Sequence, residues 1–169
     1  GGWELLRNEK RSQDEEYSFF QVFRKLSSKI QRFSCMKSKP AKSCAVVRYG
    51  AWGDAVQMSS VLPALKEEGY HITLYTNPRC WEVMKSNPYV DEVIIQDDNQ
   101  VPNSWLHEFW SYERKKYEKW INFSESVEGT WLALPGRPNH EWSPLVRRKY
   151  LNTNYVELQH DLAGVPYEK

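Results

Sequence analysis

Short apolar runs alternate with helix-like patterns from Cys44 onward, and this alternation constrains the fold more than any other feature of the sequence. Each run is bounded by turn residues and is short enough to be a buried strand. Strands that are separated by single helices are joined by right-handed crossovers, which predicts a parallel sheet with flanking helices in an α/β domain. The predicted strands are Cys44–Gly50, His71–Asn77, Val90–Asp98 and Lys119–Ser126.

Helical patterns fill the gaps between these strands and follow the last one. Gly69 is expected to end the first helix, and Pro78 is expected to open the second. The final helical stretch contains a predicted break near Asn152–Asn154. The predicted helices are Asp54–Gly69, 78–87, Ser104–Tyr117 and Leu145–Val165.

Size and composition fit a single intracellular domain. A chain of 169 residues is long enough to bury a proper core. It has no uninterrupted apolar run of about eighteen residues, so no transmembrane helix is expected. Neither the histidines nor the cysteines have metal-ligand spacing, so no metal site is expected. The cysteines are expected to be reduced thiols, which predicts a cytoplasmic protein. The cysteines are Cys35, Cys44 and Cys80.

The N-terminal part is basic, although the whole chain has a net charge of only +1. Residues 17–53 include eight Lys or Arg and no Asp or Glu. Within this part, Glu15–Phe33 has apolar residues at helical spacing and predicts an amphipathic helix with a basic face. The helix either packs on the domain or lies on an anionic membrane surface, at the inner face of the membrane. Nucleic acid is not an expected partner, because no recognition motif accompanies the basic face.

A polar stretch, Ser34–Ser43, predicts a linker after this helix, since Pro40 cannot continue it. The sequence thus predicts two parts. Residues 1–43 form the basic helix and linker, and residues 44–169 form the α/β domain.

The candidate ligand site lies in the loops that follow the strands, because open α/β sheets bind ligands at the carboxyl ends of their strands. Two glycines in the first loop would let the chain turn tightly and let a ligand approach it. Asp54 has two interpretations: it caps the helix that follows, or it acts as a general base. The candidate substrate-binding residues are Arg48, Gly50, Trp52, Gly53, Asn77, Ser124, Glu125 and Ser126.

Common nucleotide and hydrolase motifs do not fit this loop. The spacing Gly50-x-x-Gly53 is not G-x-G-x-x-G, and Asp54 would repel a pyrophosphate there. The chain also lacks a P-loop, an H-E-x-x-H and a G-x-S-x-G motif.

Three segments together resemble family 9 glycosyltransferases, the heptosyltransferase-like enzymes of lipopolysaccharide assembly. The first is Arg48–Asp54, which is similar to the family's [R/K]-x-[G/S]-x-x-G-D loop. The second is Ser59–Leu65, similar to its T/S-x-P-A-L segment, and the third is Asn87–Ile94, "NPYVDEVI". The resemblance covers about Ala45 to Ser126 and continues more loosely beyond it.

The resemblance implies the N-terminal, Rossmann-like domain of a GT-B enzyme. In this family the N-terminal domain binds a glycan or glycolipid acceptor, and the C-terminal domain binds a nucleotide sugar. The reaction inverts the anomeric centre and needs no metal or further cofactor. The family's proposed base is the aspartate of the G-D loop, which is Asp54 here.

The sequence departs from the family at its two ends and in one loop. It ends at Lys169, near the expected domain junction, so we expect an acceptor-side fragment that is inactive without a donor-binding domain; the alternative is a natural half-enzyme that needs a partner. The segment Glu125–Pro144 is longer and more acidic than the family's basic acceptor loop, which argues against a phosphorylated acceptor. The alternative function is a non-catalytic Rossmann-like scaffold that docks on a membrane or partner through residues 15–33.

Overall fold

A computed structural model of the protein describes residues 31–34, 42–96, 106–125 and 142–167. Its five strands form one sheet in the order β1-β4-β3-β2-β5. Strands β2, β3, β4 and β5 are parallel to one another, and β1 pairs antiparallel with β4. This confirms the predicted α/β fold with a Rossmann-like parallel sheet. The strands are β1 (Gln31–Ser34), β2 (Ser43–Val47), β3 (His71–Thr76), β4 (Glu92–Ile95) and β5 (Lys119–Asn122).

Both faces of the sheet are covered, because alternate residues of its central strands point to opposite sides. Cys44 and Val46 of β2 pack in one apolar cluster with α1, α2, α3 and α6. Ala45 and Val47 pack in a second cluster against Phe109 and Trp110 of α4. The helices are α1 (Trp52–Ser59), α2 (Leu62–Glu67), α3 (Pro78–Met84), α4 (Leu106–Glu113), α5 (Pro144–Leu151) and α6 (Tyr155–Ala163).

The first predicted helix is wrong in one respect, because it is interrupted. Helix α1 ends at Ser59 and α2 begins at Leu62. Pro63 lies in the first turn of α2 and has no N–H, so it cannot donate to the carbonyl of Ser59 as a continuous helix requires. Gly69 follows α2 with φ of 85°, as expected for a residue that ends a helix.

The predicted break in the last helical stretch is confirmed. Helix α5 ends at Leu151, and α6 begins at Tyr155 after its N-cap, Asn154. The Asn154 side chain accepts a hydrogen bond from the Val156 amide at 2.9 Å. Asn is favoured at this position because it satisfies an otherwise free amide.

The predicted helix Glu15–Phe33 is wrong at its end, where Gln31–Ser34 forms β1. Its pairing partners run from Ile95 to Glu92 in β4. Four residues are too few for periodicity to distinguish a strand from the end of a helix, and here the open edge of β4 supplies backbone partners. Residues 1–30 lie outside the described residues, so the basic helix stays a prediction. Within the predicted segment 1–43, residues 31–34 pair with β4 and so belong to the sheet of the α/β domain.

Asp91, from the "NPYVDEVI" segment, joins three elements at the amino ends of the strands. Its Oδ2 accepts a hydrogen bond from the Ile72 amide at 2.7 Å and lies 2.7 Å from Lys66 Nζ. Lys66 belongs to α2, Ile72 to β3, and Asp91 immediately precedes β4. The aspartate of this segment therefore has a structural role at the edge of the sheet opposite the candidate site.

We expect Asp91→Ala to lower the free energy of unfolding by about 1–3 kcal/mol, because it leaves the Ile72 amide without its acceptor. The partly exposed ion pair with Lys66 adds little to this. Urea unfolding measures the change, and Asp161→Ala, which alters an exposed carboxylate on α6, is the control. Equal stability of the two variants would contradict the anchoring role.

Within the ranges that the structure describes, no helix is long and apolar enough to cross a bilayer.

Candidate functional site

The strand order creates a switch point beside β2. In the sheet, β3 and then β4 lie on one side of β2, and β5 lies on its other side. The loops that leave β2 and β5 therefore start next to each other at the carboxyl edge of the sheet. Such a reversal is where open α/β sheets bind their ligands. The loop Arg48–Asp54 lies here, as the sequence predicts.

Asp54 lies in the first turn of α1 and does not precede it. The N-cap is Ala51, and Asp54 Oδ2 accepts a hydrogen bond from the Ala51 amide at 2.8 Å. This is one half of a capping box, since Ala51 has no side-chain acceptor for the other half. The predicted capping role is thus present, but the carboxylate reaches back from inside the helix. Its side chain is 33% exposed, so one part of it can be reached from solvent.

Arg48 follows β2 and is almost completely buried, with 3% of its side chain exposed. Its Nη2 donates to Asp54 Oδ1 at 2.5 Å, and its Nη1 donates to the carbonyl oxygen of Phe123 at 2.9 Å. The guanidinium therefore lies between the first loop and the end of β5. Its predicted contact with substrate stays a prediction.

The two glycines of the loop differ in backbone conformation and in the space around them. Gly50 has φ of 130°, which side chains rarely adopt, and a Cβ there would collide with the Asp54 carboxylate. Gly53 lies in α1 without a positive φ, and a Cβ there would meet nothing within 4 Å. Only Gly50 is required for the turn, so the predicted conformational role of Gly53 is wrong. Gly53 does leave the start of α1 open to an approaching group.

Asn77 ties the neighbouring loop to this one. Its Oδ1 accepts a hydrogen bond from the Cys80 amide at 2.9 Å and so caps α3, and its Nδ2 donates to the Gly50 carbonyl at 3.0 Å. Cys80 Sγ also donates to the Ala51 carbonyl at 3.4 Å. Burial raises the pKa of Cys80, which keeps it a thiol that can donate. These contacts fix the backbone on both sides of the turn.

Ser124 joins the loop after β5 to the loop after β2. Its Oγ accepts a hydrogen bond from the Tyr49 amide at 3.0 Å. Ser124 belongs to a short 3-10 turn, Phe123–Glu125, that follows β5 directly. The backbone of Glu125 is described, but its side chain and the whole of Ser126 lie outside the described residues.

Trp52 is the exposed aromatic residue of the site. It begins α1, and 56% of it is exposed to solvent. Its indole Nε1 donates to Glu82 Oε2 of α3 at 3.1 Å, which restricts the ring. An oriented aromatic surface thus lies two residues before Asp54 in the chain.

Two further residues, Tyr49 and Gln96, were missed by the sequence analysis. The Tyr49 hydroxyl donates to Gln96 Oε1 at 2.7 Å, and its ring stacks on Trp110 with centroids 6.2 Å apart. Burial raises the pKa of Tyr49, so the phenol stays neutral. Each residue lies just beyond the end of a strand, a position that could have identified both. Their contacts connect the loop after β2 to the end of β4 and to α4.

Comparison with known structures finds a similarity over half of the chain. The matching structure is described as "the glycosyl transferase family 9 from Veillonella parvula DSM 2008", with 26% sequence identity and a TM-score of 0.39. The match covers 50% of this chain and 26% of that chain, so it spans about a quarter of the other protein. No protein-family model and no curated protein matches the chain.

The arrangement holds the partly accessible carboxylate of Asp54 in a loop that is fixed by hydrogen bonds. Hydrogen bonds fix the loop from the neighbouring loops after β3 and β5, and Arg48 balances the negative charge of Asp54 from the protein side. In the described ranges, no group of three or more His, Cys, Asp or Glu side chains is placed to hold a metal ion. A fixed carboxylate that is partly open to solvent can accept a proton from a bound hydroxyl group.

Proposed function

We propose that this chain is the acceptor-side domain of an inverting glycosyltransferase that uses a nucleotide-sugar donor. The observation that carries the proposal is the Asp54 carboxylate, which is held on both oxygens yet is one-third exposed at the switch point. The same residue is the aspartate of the G-D loop in the family that the sequence resembles. Position in the fold and resemblance in sequence therefore point to the same side chain.

In the proposed reaction, Asp54 takes the proton of an acceptor hydroxyl group as its oxygen attacks the anomeric carbon. The new C–O bond forms on the face opposite the diphosphate, and the bond between the anomeric carbon and the phosphate oxygen breaks. The nucleoside diphosphate leaves with the electron pair of that bond, and the anomeric configuration inverts. As the resemblance implies, the donor is held by a second domain and no metal is needed.

Several neighbours suit an acceptor sugar. Trp52 offers an exposed apolar ring of fixed orientation, and Gly53 leaves the backbone accessible. Aromatic faces commonly contribute apolar contact area with a defined geometry in such sites. We assign acceptor binding to Trp52, Gly53 and Asn77, which belong to the same loops at the carboxyl edge of the sheet as the Asp54 carboxylate.

The proposal is tested with the complete open reading frame that encodes this chain. The purified protein is incubated with a panel of UDP-, GDP- and ADP-sugars in the presence of EDTA, and release of nucleoside diphosphate is followed. We expect turnover with one of these donors in EDTA. The ¹H NMR coupling of the first-formed product is expected to show the anomeric configuration opposite to that of the donor.

Two results would count against the proposal. Absence of turnover with every donor, with and without an added glycan mixture, would leave the scaffold function as the better explanation. A product with retained configuration would contradict direct displacement and the role of a single base.

A further inference from the structure

We propose that Arg48 is a positioning residue that fixes the Asp54 carboxylate and makes its orientation depend on the loop after β5. The inference rests on the proposed role of Asp54 as base. It differs from the sequence prediction, in which Arg48 contacts the substrate.

The burial of Arg48 is the first step of the argument. A guanidinium that is 3% exposed has lost nearly all of its hydrating water, and this loss is strongly unfavourable unless charges and hydrogen-bond acceptors of the protein replace the water. The carboxylate of Asp54 and the carbonyl of Phe123 replace it at Nη2 and Nη1. Nε is also buried and has no hydrogen-bond partner in the described part of the chain. Arg48 thus connects Asp54 to Phe123, while its Nε has no acceptor among the described residues.

The second step is the link that these two contacts create. Phe123 lies 75 positions from Arg48 in the chain and opens the turn that follows β5. The same turn accepts the Tyr49 amide through Ser124 Oγ. Two hydrogen bonds from adjacent residues, Arg48 and Tyr49, therefore connect the loop after β2 to the loop after β5. A displacement of the second loop must displace the guanidinium or break these bonds.

The third step concerns the carboxylate itself. Arg48 holds Oδ1 and the Ala51 amide holds Oδ2, so the plane of the carboxylate is fixed by contacts at both ends. Each oxygen keeps a further lone pair for another donor. An acceptor hydroxyl can therefore approach a base with one orientation, which is what efficient proton removal requires. Loss of Arg48 leaves Oδ1 free and the carboxylate able to rotate about its side-chain bonds.

The structural part of the proposal is tested by NMR on this chain. The amide of Ala51 reports its bond to Asp54 Oδ2, and the amide of Tyr49 reports its bond to Ser124. In Arg48→Met we expect the Ala51 proton signal to move upfield, toward its position in Asp54→Asn. Its hydrogen exchange should accelerate about tenfold, the size expected for loss of a charge-assisted hydrogen bond. Arg79→Met removes an equal charge from an exposed position on α3 and should leave both signals unchanged.

The catalytic part is tested by kinetics on the complete reading frame. Arg48→Met is expected to lower kcat about a hundredfold, as a base misplaced by about 1 Å can do, with KM for the acceptor unchanged. If KM rises while kcat is unchanged, Arg48 contacts substrate and the inference is overturned. Full turnover of Asp54→Asn would instead refute the base assignment, and the NMR result would still decide whether Arg48 orients the carboxylate.

A second variant keeps the test decisive if Arg48→Met does not fold. The single nitrogen of Arg48→Lys cannot occupy both forked Nη positions, so either the Ala51 or the Tyr49 signal must move. A folded Arg48 variant in which neither signal moves overturns the proposal.

Discussion

Replacing Asp54 by Asn is expected to lower turnover of the complete protein by about 10²–10⁴-fold, the usual contribution of a general base. An amide keeps the size of the carboxylate and can still accept from the Ala51 amide, but it cannot take a proton. The loss should appear in kcat, because proton removal occurs in the transition state of transfer. Initial rates at saturating donor and acceptor concentrations measure it.

Two measurements separate this effect from a structural one. The free energy of unfolding should also fall, by up to about 3–5 kcal/mol, because the neutral amide leaves the buried Arg48 guanidinium without its counter-charge; turnover is therefore compared between fully folded preparations. Glu67→Gln, which changes an exposed carboxylate in α2, should keep full turnover. Unchanged turnover in Asp54→Asn would refute the base assignment and leave Asp54 as a helix cap alone.

Replacing Gly50 by Ala is expected to destabilise the domain by about 2–4 kcal/mol, from backbone strain at positive φ together with a steric clash. The new Cβ would lie against Asp54 Oδ2, so either the carboxylate or the turn has to move. The movement would also break the contact with Ala51 and reduce turnover. Urea unfolding gives the stability change, and the same preparation gives the rate.

The second glycine of the loop supplies the matched control. Gly53→Ala adds a Cβ in helical backbone with nothing within 4 Å, so it should be neutral or stabilising by up to about 1 kcal/mol. Equal destabilisation by the two substitutions would show that the whole loop is intolerant of side chains, whatever the position of Asp54. A stable Gly50→Ala with wild-type turnover would contradict the described geometry.

The parallel sheet could be predicted from the sequence because its signals are local. Val46 and Leu74 lie in short, largely apolar runs, Gly69 follows the end of one helix, and Pro78 begins the next. Asn77 before Pro78 is likewise a local signal for a helix start, and the structure places it as the N-cap of α3. Elements of this kind are specified within a few residues of chain.

The other features depend on partners that are distant in sequence. Strand β1 exists where β4 offers an edge, and no period in its four residues distinguishes it from the end of a helix. The pairing of Arg48 with both Asp54 and Phe123 depends on β5 lying beside β2, a strand order that composition does not reveal. Asp54 lies inside α1 because the helix begins at Trp52, two residues earlier than the sequence predicts. Sequence reasoning could therefore locate the site but not its internal contacts.

The double role of Asn77 has a consequence for the chemical ageing of the protein. Asparagine usually deamidates when the next backbone nitrogen attacks the side-chain amide to form a cyclic imide. The next residue here is Pro78, whose nitrogen carries no hydrogen to lose, and that same proline begins α3. The amide that donates to Gly50 is thus shielded from the common route by which it would become a second carboxylate beside the loop. One proline both starts a helix and preserves the neutral side chain that supports the turn before Asp54.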